Sequence, residues 1–474
     1  MHGFSHIFRK NCLLLKIMWT ALIFLSICLC FFIITLNVIN YLNYDVVTKI
    51  RVVEKDSLPF PAITICNTNH ILTEEALEYA ESFLIKNNLV NLTGSTILDQ
   101  IFPAQFSKFY FNFNIVRYLT FINLKSSLPQ TNNTFSILFN KMFISCIFSL
   151  QQCDENEWLW FYDTVYGNCY RFNTIQSKNQ LSQVKKSYHT GKYNNLMLEL
   201  YVGVSDVREY LSLTTGASIF INDNLIKPLV GEGFELMPGT NVNIILERKK
   251  NKQMARPYSE CVNNLDSIDS FDSEYYRKVL RSNLTYRQID CFYAYIQSEV
   301  YKRCKCDEIA SNLMLENNNP CDTVEEQLCS FQTYQEITAS EYKTRIKAEC
   351  PLECDSVSYS FIKSESRYPS ASYAKEISKN DALKHLFNNK SNVSLEEYRE
   401  NILAVNIYYE FLKETEITES ASISWDGLVG SIGGTLGLFM GISILSIVEF
   451  IDLFIQIIYK SFKINENKVF FIKK

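Results

Sequence analysis

Apolar residues in this chain fall into two long runs, with a series of short alternating stretches between them. The first run, Ile17 to Ile39 (IMWTALIFLSICLCFFIITLNVI), carries no charge and is too long for a signal-peptide core. About 20 apolar residues suffice to cross a bilayer, so this run predicts a membrane helix over residues 17–41. The second run, Gly427 to Tyr459, is long enough to span as well, but it is built differently. It holds six of the fifteen glycines, three serines and two carboxylates, Glu449 and Asp452. Gly430, Gly434, Gly437 and Gly441 step by 4, 3 and 4, which places them on one helical stripe. Eleven residues further on, an unbroken stripe reaches Asp452. Ser443 would then point about 200° away from Gly441. For Gly441, Ile442 and Ser443 to line one path, the backbone must leave helical geometry there, as glycine permits.

A plain anchor has no use for such a run, since a charge at mid-membrane costs at least ~3 kcal/mol on insertion scales. Glycines at this spacing also serve as ordinary packing surface, and acids near the interface are reached by water. Stripe, paired acids and serines together favour a water-filled, cation-attracting path.

Between the two runs the pattern is mainly that of strands. Pro59 and Pro61 bracket Phe60, and AITIC then alternates. Thr73 caps a predicted helix, TEEALEYAESFLIKNN. Strands are predicted around Cys169 (VYGNCYRFNT), over Leu196–Val204, after the Pro238-Gly239 turn (VNIILERK), and over SVSYSFIK and Ile402–Leu412. Tyr286–Arg303 has helical spacing, and a polar stretch leads from Leu412 into the second run. With no repeats and no low-complexity linker, the intervening segment reads as one α+β unit.

Charge orients the chain. Arg9, Lys10 and Lys16 precede the first run, and Lys460, Lys463, Lys468, Lys473 and Lys474 follow the second. The positive-inside rule puts both ends in the cytoplasm. The expected organisation is a cytoplasmic segment 1–16, a span 17–41, an exterior domain 42–426, a span 427–459 and a cytoplasmic segment 460–474. From Asp45 to Asp426 there are 38 basic and 48 acidic residues, a field that concentrates cations and argues against nucleic acid as a partner. Of fifteen cysteines, twelve fall in this exterior part, an even number that implies six disulfides in an oxidising compartment. A zinc cluster at Cys304, Cys306, Cys321 and Cys329 is disfavoured, because external thiols oxidise and no histidine lies near; no metal site is expected. Glycosylation sequons stand at Asn91, Asn132, Asn283, Asn389 and Asn392. Five scattered histidines and no nucleophile–base constellation argue against an enzyme.

Several stretches together carry a family resemblance: HGFSHIF with His2-Gly3, LPFPAITICN, YGNCYRFN at Tyr166–Asn173, the Pro238-Gly239 turn followed by PYSEC at Pro257–Cys261, the later cysteines, and GSIGGTLGLFMGISILSIVEF. Over nearly its whole length the chain resembles the degenerin/epithelial sodium channel superfamily, nearer its acid-sensing and peptide-gated branches. The resemblance implies a membrane protein with two transmembrane helices and a large disulfide-rich α+β extracellular domain of palm, finger, thumb, knuckle and β-ball parts, assembled as a homo- or heterotrimer. It implies that Gly441-Ile442-Ser443 is an extended selectivity segment that breaks the second helix, with Gly430, Ser431, Gly434, Gly437, Glu449 and Asp452 along the ion path. It gives Gly430, His2 and Gly3 roles in gating. It implies the pairs Cys66–Cys169, Cys146–Cys153, Cys261–Cys354, Cys291–Cys350, Cys304–Cys329 and Cys306–Cys321. The cysteines of one further thumb disulfide, present in acid-sensing relatives, are missing.

Departures from the family bear on the stimulus. A histidine pair after the first helix in acid-sensing members is here Asp45 and Val46, and two thumb carboxylates are replaced by Phe331 and Gln335. An acid early in the second span is Ser431. Histidine suits the sensing of modest acidification, so the expectation is a sodium-permeable, amiloride-sensitive channel subunit opened by an extracellular neuropeptide. It would work in the plasma membrane with two further subunits and need no cofactor beyond permeant sodium. The alternatives are an acid-gated channel, an accessory subunit conducting only in a heterotrimer, and a non-conducting two-pass receptor.

Overall fold

The computed structural model describes residues 13–68, 137–163, 166–175, 183–203, 214–229, 231–282, 285–307, 323–338, 346–387 and 393–471, with six single positions besides. His2, Gly3, most of the helix predicted after Thr73, and all five sequons lie outside the described residues. The chain divides into two compact units: residues 1–49, 256–259 and 419–474 in one, and 50–255 and 260–418 in the other.

The strands, in order, are β1 (Val46–Glu54), β2 (Leu58–Pro59), β3 (Ala62–Asn67), β4 (Phe143–Phe148), β5 (Gln151–Gln152), β6 (Trp158–Asp163), β7 (Gly167–Phe172), β8 (Lys186–Ser187), β9 (Leu196–Tyr201), β10 (Ala217–Asn222), β11 (Phe234–Leu236), β12 (Thr240–Lys252), β13 (Cys261–Val262), β14 (Leu352–Glu353), β15 (Asp355–Arg367) and β16 (Ile402–Ala421). One sheet runs β15-β12-β16-β9-β4-β5, with β1 also on β16; a second runs β11-β10-β3-β7-β6. Their inner faces come from simple alternation. Leu196, Leu198 and Leu200, then Val242, Ile244 and Leu246, then Leu403, Val405, Ile407 and Tyr409 are all buried in one core with Ile63, Ile65 and Phe172. Phe60 sits at the junction, fully buried, with its ring edge-on to Phe148, Phe172 and Tyr409. The Tyr409 hydroxyl donates to the Pro59 carbonyl at 2.8 Å.

β16 differs from its sequence reading. Alternation is clear only to Leu412, yet the strand continues through the polar Lys413–Ala421. Its parallel pairing with β12 slips on the way: Leu246 faces Tyr409 and Arg248 faces Glu414, so four residues of β16, Glu410–Lys413, stand against Glu247 alone. Past the bulge, polarity is held by charge. Arg248 forms a tight ion pair with Glu414, and Lys55 Nζ lies 3.7 Å from both Glu414 and Glu416. Glu247, although near the surface, is held below the usual carboxylate range: burial pushes it up, but hydroxyls of Thr415 and Ser360 and the Lys249 ammonium outweigh that. At the other end, β9 stops at Tyr201, short of the predicted Val204.

Helices form a satellite layer with its own core: α1 of this unit at Glu274–Arg281, α2 at Gln288–Cys304 and α3 at Val324–Thr338. Six disulfides tie the unit together: Cys66–Cys169, Cys146–Cys153, Cys261–Cys354, Cys291–Cys350, Cys304–Cys329 and Cys306–Cys321. These are the pairs the family resemblance implies. Cys66 and Cys169 face each other across β3 and β7, and Cys304–Cys329 fastens α2 to α3. Arg287, just before α2, binds Asp290 through Nε and Nη2 and reaches Glu232 through Nη1, each at 2.8 Å.

Candidate ion path

The smaller unit contains both apolar runs. The first forms one helix, α4, Leu13–Leu42, which contains the predicted span and runs one residue past its end. Among the described residues it is the helix long and apolar enough to cross a bilayer by itself, with mean hydropathy 2.8 over its best window. The second run forms two helices, α5 at Trp425–Met440 and α6 at Ile444–Phe471, separated at Gly441-Ile442-Ser443.

Local chemistry explains the break. Gly441 adopts a left-handed conformation (φ 64°), and its N–H donates to the Gly437 carbonyl at 3.0 Å, which ends α5. Ser443 then starts α6. Its hydroxyl accepts from the Ser446 N–H, and the Ser446 hydroxyl accepts in return from the Ser443 N–H, both at 3.3 Å. This is a reciprocal capping box with serine in both roles. The segment is therefore a cap-to-cap junction; Gly441 itself is not extended. The helical register does not pass from Gly441 to Asp452, so the continuous stripe drawn through both on an unbroken helix is corrected to two separate faces.

α5 opens with Ser424, whose hydroxyl accepts from the Gly427 N–H at 3.3 Å. α4 lies antiparallel beside it. Tyr41 meets Trp425 edge-on at 6.3 Å, and near the break the Ser26 hydroxyl donates to the Phe439 carbonyl at 2.7 Å. The contact with α4 does not use the glycines: a Cβ built on Gly430 or Gly434 meets nothing within 4 Å, and one on Gly437 meets only the Ile442 carbonyl at 3.9 Å. Glycine serves here as an open face. Ser431 is also exposed. On α6, Glu449 and Asp452 are exposed three residues apart; Asp452 accepts from Gln456 at 2.8 Å, and neither carboxylate meets a cation among the described residues. Gly441 and Ser443 are exposed at the break, and Ile442 is half-buried.

The strands entering and leaving the helices are stitched together. The Ser422 N–H donates to the Asp45 carbonyl at 2.8 Å, and the Ser420 hydroxyl to that of Val47 at 3.4 Å. Tyr44 stands edge-on to Tyr258 at 5.5 Å. Sequence reasoning quoted Tyr258 within PYSEC without giving it a role, since nothing in the chain's linear order links it to Tyr44. Ser26 and the Arg248–Glu414 pair were missed for the same reason.

A family profile described as amiloride-sensitive sodium channel matches residues 1–453. Acid-sensing ion channel 1 of Gallus gallus is 26% identical over 97% of this chain and 82% of its own length. The bile acid-sensitive ion channel of Mus musculus is 25% identical, covering 97% of this chain and 86% of its own length. The gamma subunit of the epithelial sodium channel of Neoceratodus forsteri is 24% identical over 71% of this chain and 49% of its own.

Proposed function

Since the chain belongs to the amiloride-sensitive sodium channel family, we propose that it is a ligand-gated subunit of a trimeric, sodium-permeable channel. In this reading the exterior domain lies between spans 17–41 and 427–459, and both ends are cytoplasmic. Two helices cannot enclose a pore, so two further subunits, of this chain or a relative, complete it. The observation that carries the proposal is the break at Gly441-Ile442-Ser443 beside an unfilled glycine face. Exposed backbone and hydroxyl groups there replace hydration water around a cation. Gly430, Ser431, Gly434 and Gly437 line the approach, and Glu449 and Asp452 attract cations beyond it. Strain in β1 and β16 reaches both spans through the bonds at Asp45 and Ser422. Gly430, with His2 and Gly3, belongs to the gate.

An extracellular neuropeptide opens the channel, and amiloride blocks it. Asp45, Val46, Phe331 and Gln335 stand where acid-sensing members place titrating groups, which supports a peptide over protons. Current recorded from cells expressing the chain alone, under acid pulses and amidated peptides in turn, tests this. A robust current from acid alone overturns peptide gating.

Proton opening is the second reading, and a specific observation favours it. Burial pushes the Asp290 carboxyl up against the opposing pull of Arg287, and burial also raises Glu353, which accepts from the Gln288 N–H at 2.9 Å. On this reading Asp290→Asn or Glu353→Gln blunts an acid-evoked current and spares a peptide-evoked one.

A further inference from the structure

Beside the Pro238-Gly239 turn lies an open groove of about 550 Å³ that has no part in the ion path. Its floor is built around Gly239. The Gly239 N–H donates to the Ile402 carbonyl, and its own carbonyl accepts from the Tyr368 N–H, both at 2.8 Å. Gly239 is left-handed (φ +75°), and a Cβ there would stand 2.9 Å from the Arg399 carbonyl, so glycine keeps the floor in place. The turn leaves Met237 61% exposed at the rim.

The walls carry groups without partners. Arg367, at the end of β15, and Glu400 are both exposed, and neither meets an opposite charge among the described residues. Arg399 reaches Glu396 through Nη1 at 3.1 Å, but its Nε is buried with no acceptor. A free cation, a free anion and an exposed thioether lining one groove call for a dipolar occupant. An amphipathic anion such as a steroid carboxylate satisfies the arginines and is repelled by Glu396 and Glu400.

We infer that this groove binds a short peptide, with carbonyl or carboxylate oxygens on Arg399 and Arg367, a basic side chain on Glu400 and an apolar one against Met237. The inference rests on the reading of the chain as opened by an extracellular peptide, and binding can be tested apart from opening.

The probes are fluorescein-labelled tripeptides containing Leu, Arg and Ala in every order, with matching peptides in which Glu replaces Arg, applied to the purified full chain. At least one Arg peptide is expected to bind. Glu400→Arg and Arg367→Glu should each weaken it tenfold or more, and a Glu peptide should regain affinity for Glu400→Arg. Met237→Ala, which leaves every charge in place, should weaken it several-fold. Absence of binding at millimolar concentration, binding indifferent to both charge swaps, or tighter binding of cholate irrespective of Glu400 overturns the assignment. So does a changed oligomeric state in the swapped variants, which makes the groove a contact between copies. Peptide-evoked current insensitive to the swaps refutes the groove and keeps peptide gating; binding without current refutes gating and keeps the groove.

Discussion

A left-handed glycine and two serine hydroxyls decide where the second apolar run stops being helix. Alanine at Gly441 would have to hold the left-handed conformation, at a cost of about 1–2 kcal/mol, and Ser443→Ala removes a cap that contributes ~1 kcal/mol. Each is expected to shift the junction and lower the preference for sodium over potassium, read as a change in bi-ionic reversal potential. Glu449→Lys and Asp452→Lys should reduce single-channel conductance; an unchanged conductance removes both acids from the path. A pH effect follows from Glu353. Its carboxyl is raised by burial, so it holds its proton in the fold at pH values where the unfolded chain has lost it. The associated stability is present in acid and fades as pH rises through the raised value. Glu353→Gln should flatten the pH dependence of Tm just above the ordinary carboxylate range. At this scale the glycines and acids could be read from the sequence because their types and spacing are local. Arg399 and its unmet Nε could not, since burial is set by distant segments.

At the scale of elements, β16 is the least legible part. Its first half alternates and announces itself. Its second half, KETEITESA, reads as a polar connector, yet it remains strand because β12 and β1 supply both hydrogen-bond partners and counter-charges. Arg248→Met would leave Glu414 buried without its closest cation, a loss of about 3–5 kcal/mol for a broken buried pair. Surface expression should fall sharply, and the double change Arg248→Met with Glu414→Leu should restore much of it. Failure of that rescue means the pair does more than balance charge. α4 shows the opposite case: thirty residues of nearly uniform apolarity leave no other structure available.

For the whole molecule, the open face of α5 is the feature that points beyond a single chain. Gly434→Cys is expected to cross-link copies under mild oxidation, giving dimers on a non-reducing gel. Phe24→Cys, on an exposed position of α4, serves as the control and should not. Three bleaching steps from a fluorescently tagged chain would match this assembly, while a single step would leave the path with only one wall.

The order of apolar runs, the alternating strands, the even dozen cysteines between the runs and the glycine-serine interruption could be read from the sequence, because each depends on residue type and short-range spacing. The three-residue slip at Glu410–Lys413, the Tyr44–Tyr258 contact, the charges gathered on Glu414 and the groove at Gly239 were decided by tertiary structure. They join residues up to about 360 positions apart, and only the folded chain brings such partners into contact.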